Sequence, residues 1–517
     1  MDMERPGRAG WREWTGLALL ALPTMLLGLD VTALYLVVPS LAADLDPTAT
    51  ETLWIMDAYG FLIAGFLITM GSWGDRVGRR RMLMIGMAAF GAASVFAAFA
   101  PSAPWLIVAR ALLGVAGATL MPSTLSLIGT MFTDVRQRAL AIGVWATMFA
   151  LGMAAGPVAG GALVAGFWWG AAFLIAVPVA VLVLAAAPAL LPEYRNPGGR
   201  PDLLSVGTSL AAMLLITFAL KHAAAHGLDA RASAAALAGG GAAVVFVRRQ
   251  LRLSEPLLDM KLFTGRAFRA ALSVLLIGLV GFGGVMFLVT QYLQFVEGLS
   301  PMAAGLWMGP PALAMLVGAL GAPLVAGRVS PGVVMSAALA LSLVGYVLLA
   351  LAGTDGKPGV IAGFAFVYLG LGVIAALGTD IVVGAAPPEK SGSAAALSET
   401  VQELGVAVGV ALLGSLTTVL YRREVEAPSG LTPSAADAYN DSLSGAWSLA
   451  DRLPPSAFDA ARTAFTSGLN TAAAVAGIAV AAASLVSFTA LRRLRPLGDA
   501  GREAEPIASA SMSGGDG

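Results

Sequence analysis

Five acidic residues fall within apolar stretches: Asp30 in LDVTALYLVVP (29–39), Asp57 in LWIMDAYG (53–60), Asp380 near the end of an apolar run, and Glu399 and Glu403 in ALSETVQELG (396–405). One base, Arg110, occupies a comparable setting, so ion pairing leaves an acidic excess. A carboxylate at mid-helix costs roughly 2.5–3.5 kcal/mol on insertion scales, so it faces protein or water and marks a pathway. The excess is relieved by a proton, by a bound cation, or by exchange of one for the other. Asp30, alone between Glu13 and Asp44, is the candidate proton carrier, with Arg110 and Asp57 as partners in proton coupling. Glu399 and Glu403 are four residues apart, which puts both on one helical face and favours one shared proton or cation. Asp57, Asp380, Glu399 and Glu403 are therefore the candidate cation ligands. Trp145, Met148, Phe149, Tyr292 and Phe295 are candidate walls, since aromatic faces attract cations and Met adapts to varied shapes.

The elements that hold such residues are membrane helices. Of 517 residues, 58% are hydrophobic and 12% charged, against about a quarter charged in soluble domains. Apolar stretches of about 17–25 residues occur near 14–38, 54–73, 82–100, 105–130, 139–163, 168–190, 203–221, 231–247, 268–292, 302–325, 332–352, 359–384, 395–420 and 468–490. The first is too long for a signal-peptide core and lacks a small-residue cleavage site, so it counts as a span. Basic turns such as GDRVGRRR (74–81) alternate with nearly uncharged ones such as APSAP (100–104), and the positive-inside rule then puts both termini in the cytoplasm. The expected fold is an all-α membrane protein of fourteen spans: a six-helix bundle (1–190), linkers and two inserted helices (191–267), and a second six-helix bundle (268–495). An outer loop (422–467), able to form a short surface helix, interrupts the second bundle, and a disordered cytoplasmic tail (496–517) ends the chain. Trp54 and Tyr59 suit an aromatic belt at the outer interface.

The zero net charge argues against nucleic acid as a partner, and the absence of Cys excludes disulfides and thiolate sites. His222 and His226 read as a solvated pair rather than a metal site, and no nucleophile motif points to an enzyme. The expected partners are small lipophilic cations, protons and membrane lipid, with no cofactor beyond the proton gradient.

Two further motifs concern how helices turn and approach one another. In GSWGDRVGRRR (71–81), Gly71, Gly74 and Gly78 permit a tight turn and close helix approach, while Asp75 can pair with Arg79 beside Arg76 and Arg80. In GMAAGPVAGG (152–161), Gly152, Gly156 and Gly160 form a stripe that lets another backbone approach, Gly161 adds to it, and Pro157 bends the helix. These motifs, with RALLGVAGA (110–118) and the Leu29, Asp30, Thr32 and Pro39 pattern, resemble the major facilitator superfamily and, within it, the fourteen-helix quaternary-ammonium drug:proton antiporters. GTDIVVGAAPPEKSGSAAALSET (378–400) resembles the late hairpin of that subgroup. The sequence departs from it at Leu113 and Tyr35, where polar and small amide residues are expected. GLWMGPPALAMLVGALGAPLV (305–325) carries no acid, which argues against dications. The resemblance implies a monomeric multidrug exporter of a bacterial inner membrane, in which Arg110 assists proton transfer and the 71–81 motif latches one state. Export of a lipid or envelope precursor is the alternative, and a membrane-embedded enzyme a more distant one.

Overall fold

The computed structural model describes residues 9–47, 49–195, 202–227, 229–253, 256, 258, 260–387 and 391–497. Most of the expected tail, part of the 191–202 linker, and the side chains of Tyr35, Pro39, Asp57, Pro157, Gly161 and His226 lie outside the described residues. Among those described, regular structure is helical throughout. The first group comprises α1 (Trp11–Leu45), α2 (Ala49–Val77), α3 (Arg79–Ala98), α4 (Ala103–Met131), α5 (Val135–Gly166), α6 (Ala171–Leu174) and α7 (Ala176–Leu190). Then come α8 (Leu203–His226) and α9 (Ala230–Gln250). The last group runs α10 (Arg266–Gln291), α11 (Pro301–Trp307), α12 (Gly309–Ala326), α13 (Pro331–Ala350), α14 (Lys357–Gly384), α15 (Ser391–Glu424), α16 (Pro433–Asp441), α17 (Leu443–Ser448) and α18 (Pro455–Leu491).

Helix starts follow local chemistry. Asp134, Asp202, Asp229 and Ser300 each accept a hydrogen bond from a backbone N–H in the first turn, satisfying donors that the helix leaves open. Pro occupies the first turn of α4, α13, α14 and α18, where its missing N–H costs nothing. Interruptions are equally local. Helix α5 bends by 45° between Met153 and Val158, around Pro157, which cannot donate to the helical ladder. Met308 separates α11 from α12 just ahead of Pro310 and Pro311.

Two apolar cores result. Leu27, Leu67, Phe90, Leu120, Ile142 and Val183 knit α1 to α7 together, while Val274, Met315, Leu339, Phe364, Leu413 and Leu469 knit α10 to α18. The halves meet where α2 packs on α15 and α5 on α12 and α14. Eleven of the described helical segments are long and apolar enough to cross a membrane, and the bent α5 makes up to twelve.

Helices α8 and α9 pack on each other outside both bundles, and α8 also touches α2 and α15. Leu214 fills the space over Gly65, and the Thr69 and Ser209 hydroxyls approach to 3.4 Å. At the start of α8, Arg249 grips Asp202 with two bonds of 2.5 and 2.9 Å. Those hydrogen bonds, with a further one from Ser205, hold the Asp202 carboxyl well below the usual carboxylate range.

The expected loop at 422–467 is corrected. Its last part is helical, because α18 begins at Pro455 and extends beyond the apolar stretch. The remainder forms a small cap. Tyr421 donates to the Tyr439 carbonyl at 3.0 Å, Tyr439 donates to the Ala457 carbonyl at 2.7 Å, and Trp447 lies between Phe295 and Phe458.

Candidate functional site

The α1–α5 contact brings Asp30 to its place. Added side chains on Gly152, Gly156 and Gly160 would strike the backbone of α1 at Met25, Leu29 and Ala33, and one on Gly28 would strike Phe149 of α5. Only glycine permits this approach from both sides. Thr32 reinforces it, its hydroxyl donating to the Met153 carbonyl at 2.8 Å. Against this backbone pair, Arg110 of α4, 1% exposed, donates through Nη1 to Asp30 Oδ2 at 2.5 Å and through Nε to the Ile55 carbonyl at 3.1 Å. Its guanidinium lies 4.6 Å from the centre of the Tyr59 ring. Tyr59 is 3% exposed, unlike Trp54 at 44%. The expected belt position for Tyr59 is thus corrected: its side of α2 faces α4 and α15 rather than lipid.

On α15, Glu399 is 3% exposed and accepts from the Gln402 side-chain amide at 3.2 Å. Glu403 follows one turn later, partly buried and within electrostatic range of Glu399 and of Tyr59. The two glutamates therefore share a face as the spacing predicts. The close approach of α15 to α10 repeats the glycine logic: side chains on Gly405 and Gly409 would strike α10, and ones on Gly283 and Gly284 would strike α15.

Asp380 belongs elsewhere. Arg138, at the start of α5, donates to it through Nε at 2.7 Å, which joins the two halves. The expectation of a single buried base is corrected here, because Arg79 is 0% exposed and Arg138, partly buried, reaches the buried Asp380. Arg138 escaped sequence reading since DVRQRA (134–139) looks like a basic anchor at a helix start; its register, facing GTD (378–380), is visible only in three dimensions.

The 71–81 turn lies at the same end. Asp75 and Arg79 pair one turn apart, Arg79 donates to the Gly71 carbonyl at 2.9 Å, and Gly78 adopts φ 114°, where a side chain would be strained. Gly74 lies against the Arg79 guanidinium, while Arg76 Nη1 is buried without a hydrogen-bond partner among the described residues. Ser393 of α15 donates to Asp75 at 3.2 Å, Ser126 and Ser391 approach to 2.7 Å, and Arg136 donates to the Gly327 carbonyl at 3.1 Å. Glu193, which sequence reading missed, accepts from the Arg80 backbone N–H at 3.2 Å, and the Arg79 N–H donates to the Tyr194 carbonyl at 3.1 Å. The strand of linker after α7 thereby caps the start of α3.

Of the candidate walls, Trp145 is tied to α4 by a 3.0 Å bond from Nε1 to Thr124, and Met148 and Phe149 follow it on α5, partly buried. Tyr292 is not brought to Asp30: its hydroxyl donates to the Gly353 carbonyl at 2.6 Å and supports the far end of α10, while Phe295 supports the cap.

Residues 20–410 match the family model described as Major Facilitator Superfamily. The chain belongs to that superfamily. It is a multi-pass membrane protein of a transporter family rather than an enzyme. It is 44% identical over 492 residues to the multidrug efflux pump LfrA of Mycolicibacterium smegmatis, covering 94% of this chain and 98% of LfrA. It is 34% identical to the methyl viologen resistance protein SmvA of Salmonella typhimurium, covering 88% and 93%, and 31% identical to the tetracenomycin C resistance and export protein of Streptomyces glaucescens, covering 92% of each. The crystal structure of the human organic anion transporter MFSD10 superposes with a TM-score of 0.59 at 16% identity, covering 90% of this chain and 99% of that one; the shared property is the fold.

Proposed function

We propose that this protein is a proton-coupled antiporter that exports lipophilic cationic drugs, dyes and quaternary ammonium compounds from a bacterial cell by alternating access. The observation that carries the reading is the Asp30–Arg110 pair, in which a buried Arg110 meets a partly buried Asp30 where α1, α2 and α4 converge. A proton on Asp30 removes its charge and frees the guanidinium, while Glu399 and Glu403 offer a cation the negative charge it needs. The two bundles then rock about the centre, and the bonds from Ser393 to Asp75 and from Arg138 to Asp380 hold the cytoplasmic end shut between export events. A gradient of one pH unit is worth about 1.4 kcal/mol per proton, enough for about tenfold accumulation of a monovalent cation exchanged one for one.

In this reading the chain crosses the inner membrane fourteen times, with α2 and α8 adding to the twelve segments above, and acts as a monomer with both termini in the cytoplasm. The efflux and resistance proteins it is similar to support drug-like substrates. Methyl viologen is a dication, so the relative named for it makes the acid-free α12 of this chain the sharpest test of a preference for monocations.

The deciding experiment uses purified protein in proteoliposomes with an imposed pH gradient, following ethidium and proton flux together. Ethidium should accumulate against its gradient with proton counterflow. Accumulation that ignores the pH gradient would overturn the coupling, and an absence of ethidium transport at full reconstitution would overturn the substrate class.

A further inference from the structure

The outer side of the N-terminal half carries a groove that the transport reading does not use. Helices α2 and α3 each pack closely on α4 but touch one another little, and a cavity of about 480 Å³ lies between them. Its wall on α3 is made of Gly86, Ala89, Ala92 and Ala93, small residues where larger apolar ones would close the gap. Trp73, Ile85 and Leu112 line it and are exposed, and α3 packs on α2, α4, α6 and α7, all of its own half, so the groove opens towards the bilayer. From Met82 to Phe96 it follows α3 for about 21 Å, longer than the roughly 15 Å depth of one leaflet's hydrocarbon. An extended alkyl chain fits that shape.

At one end the groove meets the 71–81 turn. Trp73 and Val77 line that end, and Arg81, exposed, precedes Ile85 by four residues, which places it at the mouth on the same face of α3. The guanidiniums of Arg76, Arg79, Arg80 and Arg81 are answered by only two carboxylates. Asp75 pairs with Arg79, Glu193 is shared by Arg80 at 3.6 Å and Arg81 at 3.7 Å, and Arg76 has no acidic partner among the described residues. The mouth is therefore positive, so it repels a lipophilic cation and attracts an anion. We propose that this groove binds one acyl chain of an anionic phospholipid of the cytoplasmic leaflet, with the headgroup phosphate at Arg81. The guanidinium fork suits phosphate oxygens, and the Trp73 ring suits the boundary between headgroup and chain. The choice of leaflet rests on the orientation in the antiport reading; the binding does not depend on it.

Native mass spectrometry of the full-length protein, stripped of lipid in detergent and titrated with phosphatidylglycerol or with phosphatidylcholine of the same chains, tests the site without any transport step. The parent should retain one phosphatidylglycerol in preference to phosphatidylcholine. Arg81→Ala should weaken phosphatidylglycerol about fivefold and leave phosphatidylcholine unchanged. Ala92→Leu, and Ala89→Leu one turn away, fill the groove and should lower retention of both lipids while thermal stability stays parental. Ala88→Leu, which adds the same bulk on an exposed part of α3 outside the groove, should behave as the parent. Equal retention of the two lipids, or phosphatidylglycerol binding that survives both filling substitutions, would overturn the proposal. Displacement of the bound lipid by ethidium from the parent and not from Ala92→Leu would also overturn it, marking the groove as a path for the cation instead.

Discussion

The two halves use the same device to opposite electrostatic ends. Helices α1 and α5 touch backbone to backbone through glycines, and so do α10 and α15. In the first pair the partly buried carboxylate, Asp30, is met by a buried guanidinium from a third helix at 2.5 Å. In the second, Glu399 accepts from a neutral amide, that of Gln402. A buried charge with a tight partner is already compensated, whereas one held by a neutral donor still needs a proton or a cation. The close glycine contacts thus supply precision, and the partner decides which half stores charge and which half receives it.

The largest expected effect comes from removing that partner. Arg110→Leu leaves Asp30 buried without its base, and breaking such a pair by one side costs about 3–5 kcal/mol; detergent-solubilised protein should unfold at clearly lower temperature, and unchanged thermal stability would remove the electrostatic contrast between the halves. Asp30→Asn should keep the fold and abolish proton-driven ethidium accumulation, because amide and guanidinium can still share the site but no proton can be exchanged; parental accumulation at equal expression would take Asp30 out of the mechanism.

Glycine replacements probe whether the shared device matters equally. Gly156→Leu and Gly409→Leu should both block export while some ligand binding survives, since a side chain at either site drives two backbones apart and overpacking costs about 1–3 kcal/mol. Transport persisting in only one of them would show that a single half carries the movement.

Smaller still is the effect of Glu399→Gln, which should narrow the range of exported monocations and alter the pH profile without general loss. Superimposable profiles for every substrate would mean that α15 receives no charge.

The smallest effect lies outside both halves. Asp202→Asn removes a carboxylate whose folded-state proton affinity is depressed by Arg249. Such a group adds stability above its unfolded value of about 3.9 and loses it as the pH falls below that. The pair is largely solvent-screened, so its worth is about 1 kcal/mol or less, and the difference between parent and variant in thermal melting should begin to shrink as the pH falls below about 4 and be lost only as it approaches the depressed folded-state value.

Much of this contrast is legible in the sequence. The apolar windows, the glycine stripe at 152–160, the 71–81 turn and the i, i+4 spacing of Glu399 and Glu403 are local patterns, and local patterns survive folding. What is not legible depends on register between distant helices. Arg138 and Asp380 are 242 residues apart, and Glu193, which meets the start of the helix that begins at Arg79, is 113 residues from Arg80. Tyr59 reads as an interfacial aromatic until its helix is rotated against α4. Each involves an ordinary residue type whose meaning is set by a neighbour that no sequence period connects to it.

The separation of 80 residues between Asp30 and Arg110 also has a consequence for biosynthesis. At about 5–20 residues per second, the ribosome finishes the first helix about 4–16 seconds before the fourth supplies the guanidinium. During that interval a lone carboxylate must sit in the bilayer, at the translocon, or protonated. The strongly apolar remainder of α1 keeps it inserted through the delay, and the arrival of α4 and then of α5 closes the bundle around it. The two partners of the pair are therefore made at different times, the carboxylate first and the guanidinium only with the fourth helix.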